Sequence, residues 1–125
     1  MSHLLLVALG GATGASCRYL TNLAALRLAG PNFPWGTLTV NILGSFAMGL
    51  LIATLARRTG TSMEIRSFLA TGFLGGFTTF SAFSLDFALM WERGNHWLGA
   101  AYLSASVILS IFALFAGLAL VRAVA

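Results

Sequence analysis

Thr71-Gly72-Phe73-Leu74-Gly75-Gly76-Phe77-Thr78-Thr79-Phe80-Ser81 lies in the middle of an apolar run that extends from Ile65 to Trp91. Paired glycines and clustered hydroxyls make this stretch a poor continuous helix, because glycine holds helical geometry weakly and Ser and Thr compete for nearby backbone. Inside a bilayer, every freed N–H or C=O must be satisfied by protein, water or an ion. A break here therefore predicts a buried polar site and not a kink facing lipid. The carbonyls of such a break could hold a cation.

Three more apolar runs surround it: Leu4 to Leu28, Thr37 to Ala56 and Trp97 to Val121. Each is near the ~20 residues that a helix needs to cross the hydrocarbon of a bilayer. Of the 125 residues, 58% are hydrophobic and 8% charged, too few charges for a soluble domain of this size to cover its surface. The sequence thus predicts an all-α integral membrane protein of four transmembrane helices, the third broken mid-membrane. Short polar connectors leave no room for a second domain, so residues 1–125 are expected to form a single four-helix transmembrane domain. The opening residues lack a positively charged n-region and their apolar run continues past any Ala-x-Ala-like site, which makes them the first span rather than a signal peptide.

The basic residues are all arginines (Arg18, Arg27, Arg57, Arg58, Arg66, Arg93 and Arg122), set against Glu64, Asp86 and Glu92. They gather near the ends of the runs, as insertion into a bilayer requires. Dispersed in this way they do not make the basic face that nucleic-acid binding needs, so no nucleic-acid partner is expected. A lone Cys17 inside the first run allows no intrachain disulfide and reads as a small buried residue. Catalysis is not expected either: His3 and His96 lie near the ends of the first and last helices, no acids are usefully paired, and Cys17 has no evident base. Metal-ligand spacing of side chains is absent, and the Gly-Gly elements carry no phosphate-binding lysine.

Helix one carries Gly10, Gly11, Gly14 and Ala15, a small-residue ridge that lets helix backbones approach closely. Gly30-Pro31-Asn32-Phe33-Pro34-Trp35-Gly36 reads as a tight interfacial turn, broken by two prolines and anchored by Trp35. Helix two is apolar except for Thr37, Asn41 and Ser45, and helix four carries Tyr102, Ser106 and Ser110. Both sets recur every fourth residue and so form one polar stripe per helix, every member of which can donate a hydrogen bond. Taken singly, a Ser or Thr most often satisfies its own helix backbone or joins helices. Two stripes beside a broken helix point instead to an ion path. The segment Arg57 to Ser62, the most polar in the chain, is a loop.

The nature of the ion follows from charge. Cation and proton transporters typically place an acid in mid-membrane, and helices one, two and four have none. Asp86, late in helix three, is the one candidate, and it can equally sit near the interface, solvated or paired with Arg18. A donor-rich, acid-poor lining suits an anion. Phe80 and Phe83, three apart just after the break, read either as ordinary packing or as ring edges, positive by the ring quadrupole, that line an anion path.

With these residues in hand, the chain closely resembles the Fluc (CrcB) family of fluoride channels. The resemblance rests on Gly10-Gly11-Ala12-Thr13-Gly14-Ala15-Ser16-Cys17-Arg18-Tyr19, Gly36-Thr37-Leu38-Thr39-Val40-Asn41-Ile42-Leu43-Gly44-Ser45-Phe46, and the stretch from Thr71 to Ser84. It implies a fluoride-selective channel that exports fluoride passively across the bacterial inner membrane and so protects against fluoride toxicity. It implies also an antiparallel, dual-topology homodimer embedded in membrane lipid, with two pores. By motif position the pore residues would be Asn41, Phe80, Phe83 and Tyr102, with Ser106 and Ser110 continuing the track and Thr37, Ser81 and Ser84 beside it. A structural sodium ion (Na+) at the dimer interface would be held by the main-chain carbonyls of Gly75 and Thr78. Asp86 stands where family members carry glutamate, a departure that bears on any role needing the longer side chain.

The arginines bear on topology: Arg57, Arg58, Arg66 and Arg122 belong to one membrane surface, Arg27 and Arg93 to the other, a bias slight enough for insertion both ways. A small multidrug exporter would need an acid in helix one, which is absent. A non-transporting assembly subunit would explain the glycines but leave the stripes and the break without purpose.

Overall fold

The computed structural model describes residues 2–58, 60 and 62–124. Thr59 and Thr61, within the segment read as a loop, lie outside the described residues. Four helices account for nearly all the rest: α1 (His3–Ala29), α2 (Trp35–Arg57), α3 (Met63–Glu92, interrupted) and α4 (His96–Val124). All four are long and apolar enough to cross a membrane. Each expected run falls inside its helix, and the helices extend past the runs by a few polar or interfacial residues. Local chemistry sets several of these ends. Ser2 accepts the Leu5 N–H at 3.1 Å to open α1, and Ser62 does the same for Ile65 at 3.2 Å to open α3. Gly30 closes α1 with φ 81°, its N–H reaching the Leu26 carbonyl. The turn to α2 that follows is pinned where the Phe33 and Trp35 rings lie 4.6 Å apart.

The interior of α3 departs from regular helix in two ways. After one α turn (Met63–Arg66) it widens into a π-helical stretch, Ser67–Leu74, then closes to one more turn, Gly75–Phe77. Thr78 is extended, at φ −84° and ψ 159°, and the helix restarts at Ser81. The glycine pair expected to interrupt the helix does not do so: Gly75 has helical angles of −63° and −36°, and the break falls at Thr78, Thr79 and Phe80. The reason is packing. A Cβ on Gly76 would stand 2.6 Å from the Gly11 carbonyl oxygen of α1, and one on Gly14 would run into the Phe73 carbonyl. These glycines let α1 and the first half of α3 meet backbone to backbone.

The same device joins α2 to α4, where Gly49 faces the Leu114 carbonyl and Gly117 faces the Phe46 carbonyl. The second half of α3 then packs on α4 and α2 through a buried apolar cluster, Phe83 and Met90 of α3, Tyr102 of α4 and Leu38 of α2, with Phe33, Ile42 and Phe87 around it. Large apolar side chains cover the outside of every helix, among them Leu4, Leu28, Phe112 and Trp97. In water that surface would be an aggregation hazard; against acyl chains it is the expected one.

Candidate functional site

The break in α3 is held by α2. Asn41 projects toward it and bonds the Thr79 backbone twice: its Nδ2 donates to the Thr79 carbonyl at 3.0 Å and its Oδ1 accepts the Thr79 N–H at 2.8 Å. Both backbone groups of this residue, which lies outside either helical piece, are thereby satisfied. From α1, Arg18 donates through Nε to the Gly76 carbonyl at 3.1 Å. Thr79 Oγ1 accepts the Ala82 N–H at 3.2 Å and caps the restarted helix. Of the carbonyls around the break, those of Gly75 and Thr78 accept no hydrogen bond among the described residues.

Below the break lies a cavity of about 260 Å³, whose polar wall comes from Asn41 and Ser45 of α2, Thr78 and Thr79 of the break, and Ser106 and Ser110 of α4. Phe80 and Phe83 line it too, their ring centroids 5.6 Å apart at 59°. The hydroxyls of Ser106 and Ser110 are buried and have no hydrogen-bond partner among the described residues. That is unusual, since a shielded hydroxyl on a helix normally returns its proton to a carbonyl one turn back, as the part-buried Thr54 and Thr78 do. Two unspent donors therefore border one cavity.

A second cavity, of about 380 Å³, lies toward the α1–α2 turn and is bordered by Asn22, Thr37, Asp86, Arg93 and Asn95. Tyr102 ties a residue of one lining to a residue of the other. It is fully buried, its hydroxyl donates to Asp86 Oδ2 at 3.0 Å, and its ring packs 5.2 Å from Phe83. Asp86 is thus joined to Tyr102, and Arg18 serves the break instead.

The expected site residues divide accordingly. Asn41, Phe80, Phe83, Ser106 and Ser110 meet at the lower cavity, Thr37 borders the upper one, and Tyr102, in the lining of neither, bonds Asp86 of the upper and packs on Phe83 of the lower. Ser81 and Ser84 are exposed, are not in the lining of either cavity, and the Ser84 hydroxyl is spent on the Phe80 carbonyl. Sequence reading missed the part played by the Thr79 backbone, for which the Thr78-Thr79 pair was a signal. It missed also the vestibule residues Asn22 and Asn95, which carry none.

Fold and site together define a class: a multi-pass membrane protein whose broken third span and donor-lined cavities suit the passage of a small solute. A family model described as "CrcB-like protein, Camphor Resistance (CrcB)" matches residues 5–118, and the chain belongs to that family. It is 64% identical over 122 residues to the fluoride-specific ion channel FluC of Mesorhizobium japonicum, covering 98% of each chain. Proteins of the same description from Chelativorans sp. (61% identical, 99% of each chain) and Agrobacterium fabrum (59%, 98% of each) are similarly close.

Proposed function

We propose that this chain conducts fluoride passively, as a channel and not as an enzyme, and that it relieves the cell of fluoride across the bacterial inner membrane. The observation that carries this reading is the pair of buried, unpartnered hydroxyls of Ser106 and Ser110 on the wall of the lower cavity. Relatives of 59–64% identity described as fluoride-specific ion channels support it.

Fluoride is small and strongly hydrated, so a path through protein must replace its water with donors. The Asn41 amide has spent one Nδ2 hydrogen on Thr79 and keeps the second. With Ser106 and Ser110 it gives donors from two helices toward one space. The Phe80 and Phe83 ring edges offer weaker positive potential where hydroxyls run out. Tyr102 does not present a free donor while it is bonded to Asp86, so its role is to divide the vestibule, with Thr37, from the cavity beyond.

The oligomer in this reading is an antiparallel homodimer of dual topology. The Gly75 and Thr78 carbonyls suit a hard monovalent cation such as sodium, because they are oxygen ligands without other hydrogen bonds, next to a break that would otherwise leave them unsatisfied. Bound there, such an ion supplies fixed positive charge and a tie between copies. No cluster of His, Cys, Asp or Glu suited to a metal occurs among the described residues, which leaves main-chain oxygens as the ligand set.

Efflux from liposomes holding the purified protein tests the reading. Rapid fluoride loss with chloride retained, and without need of a proton gradient, is the expected result; equal loss of both anions overturns selectivity, and dependence on a proton gradient overturns passive conduction.

A further inference from the structure

A third cavity, sharing no lining residue with the other two, lies at the end of the molecule where α2 stops and α3 starts. It is about 180 Å³ and is bordered by Ile52, Leu55 and Ala56 of α2, by Ser62, and by Met63 and Arg66 of the first turn of α3. Its wall runs from apolar depth to charged surface. Ile52 is five residues before Arg57, roughly 7 Å deeper along the helix axis. Arg66, by contrast, sits on a turn whose side chains slant back toward the helix start, so its guanidinium heads for the membrane surface.

The charge at this end is one-sided. Arg57 follows directly on Ala56, and its Nη2 reaches the Arg122 carbonyl at 3.5 Å, which brings the end of α4 into the same neighbourhood. The acid nearest in sequence, Glu64, borders a different hollow, with Leu6, Ile65, Phe68 and Leu69. No hydrogen bond or ion pair holds the Arg66 side chain among the described residues. The neighbouring hydroxyl, Ser62, already accepts the Ile65 N–H.

We infer that this cleft is a seat for one anionic phospholipid of the adjoining leaflet. Its phosphate lies against Arg66, with Arg57 adding to the local positive potential, and one acyl chain follows Met63, Ala56 and Ile52 inward. The charge complementarity selects an anionic headgroup, since each arginine near a membrane surface favours anionic over zwitterionic lipid. The apolar floor selects a lipid over a free phosphate, which would leave that floor empty. The inference does not depend on what the channel conducts.

Native mass spectrometry of the detergent-purified protein, with phosphatidylglycerol and phosphatidylcholine of identical chains added in equal amounts, reads lipid retention directly. Phosphatidylglycerol adducts should dominate, and Arg66→Gln should cut that preference about fivefold, the weight of one basic residue at an anionic surface. Arg27→Gln, at the other end of the molecule, should leave it intact. Ala56→Trp should fill the cleft and lower retention of both lipids. Equal retention of the two lipids by the unaltered protein overturns the inference. So does an undiminished preference in a folded Arg66→Gln variant, or full displacement by soluble glycerol phosphate.

Discussion

Asn41 on α2 and Thr79 in the interruption of α3 bond to each other twice, amide to backbone, at 3.0 and 2.8 Å. A side chain on one helix thus completes the backbone of another, and the polarity of Asn41 is needed for the fold before it is needed for any ion. Asn41→Asp keeps one acceptor for the Thr79 N–H but turns its other oxygen against the Thr79 carbonyl. Fluoride flux should collapse, and the protein should lose about 1–3 kcal/mol of stability, the cost of leaving a buried carbonyl unpaired. Thermal unfolding in detergent beside liposome efflux checks this; wild-type stability with lost flux would assign Asn41 to the anion alone.

Ser106 and Ser110 should behave in the opposite way. Their hydroxyls have no partner to lose, so Ser106→Ala and Ser110→Ala should leave stability unchanged or slightly raised. Fluoride efflux should nonetheless fall in each and more in the double variant. Unfolding transitions that drop with the flux would show the hydroxyls to be structural.

Adjacent glycines separate packing from backbone freedom. A methyl on Gly76 meets the Gly11 carbonyl at 2.6 Å, whereas one on Gly75 meets only the Ala70 carbonyl at 3.6 Å. Gly76→Ala should part α1 from α3 and lower yield and thermal stability sharply, and Gly75→Ala should be mild because its angles are already helical. The two variants compared by size-exclusion profile and unfolding temperature decide the point.

The proposed antiparallel dimer makes its own demand. Added positive charge at one end of the chain, which forces a single orientation, should abolish fluoride efflux until a copy biased the other way is supplied. Full activity from one orientation would be incompatible with dual topology.

The four spans were legible because hydrocarbon thickness and backbone satisfaction leave a long apolar run few alternatives. The stripes were legible because a four-residue recurrence maps onto one helix face. Of the two pairs expected to interrupt the helix, the hydroxyl pair Thr78-Thr79 does so and the glycine pair does not. Gly75-Gly76 looks like an interruption to any propensity argument, yet Gly76 is small because Gly11 is there, a fact that belongs to a distant segment. For the same reason the sequence could not tell which hydroxyls are spent: Ser84 and Ser106 look alike on paper, and only the fold returns one to its own helix and leaves the other bare. Asp86 shows the limit most sharply, since its partner proved to be the Tyr102 hydroxyl sixteen residues on.

The interruption at Thr78, Thr79 and Phe80 cuts one span into two shorter helices laid head to tail, the first ending at Phe77 and the second starting at Ser81. A helix carries partial negative charge at its finish and partial positive charge at its start, both strongest within a turn of the end. A single cut in the chain therefore sets opposite poles a few residues apart at the middle of the span. The finish of the first piece, at Gly75 and Thr78, carries the negative pole, and the start of the second, beside Phe80 and Phe83, the positive one. Neither pole needs an ionised side chain, so the polarity of this region does not vary with pH.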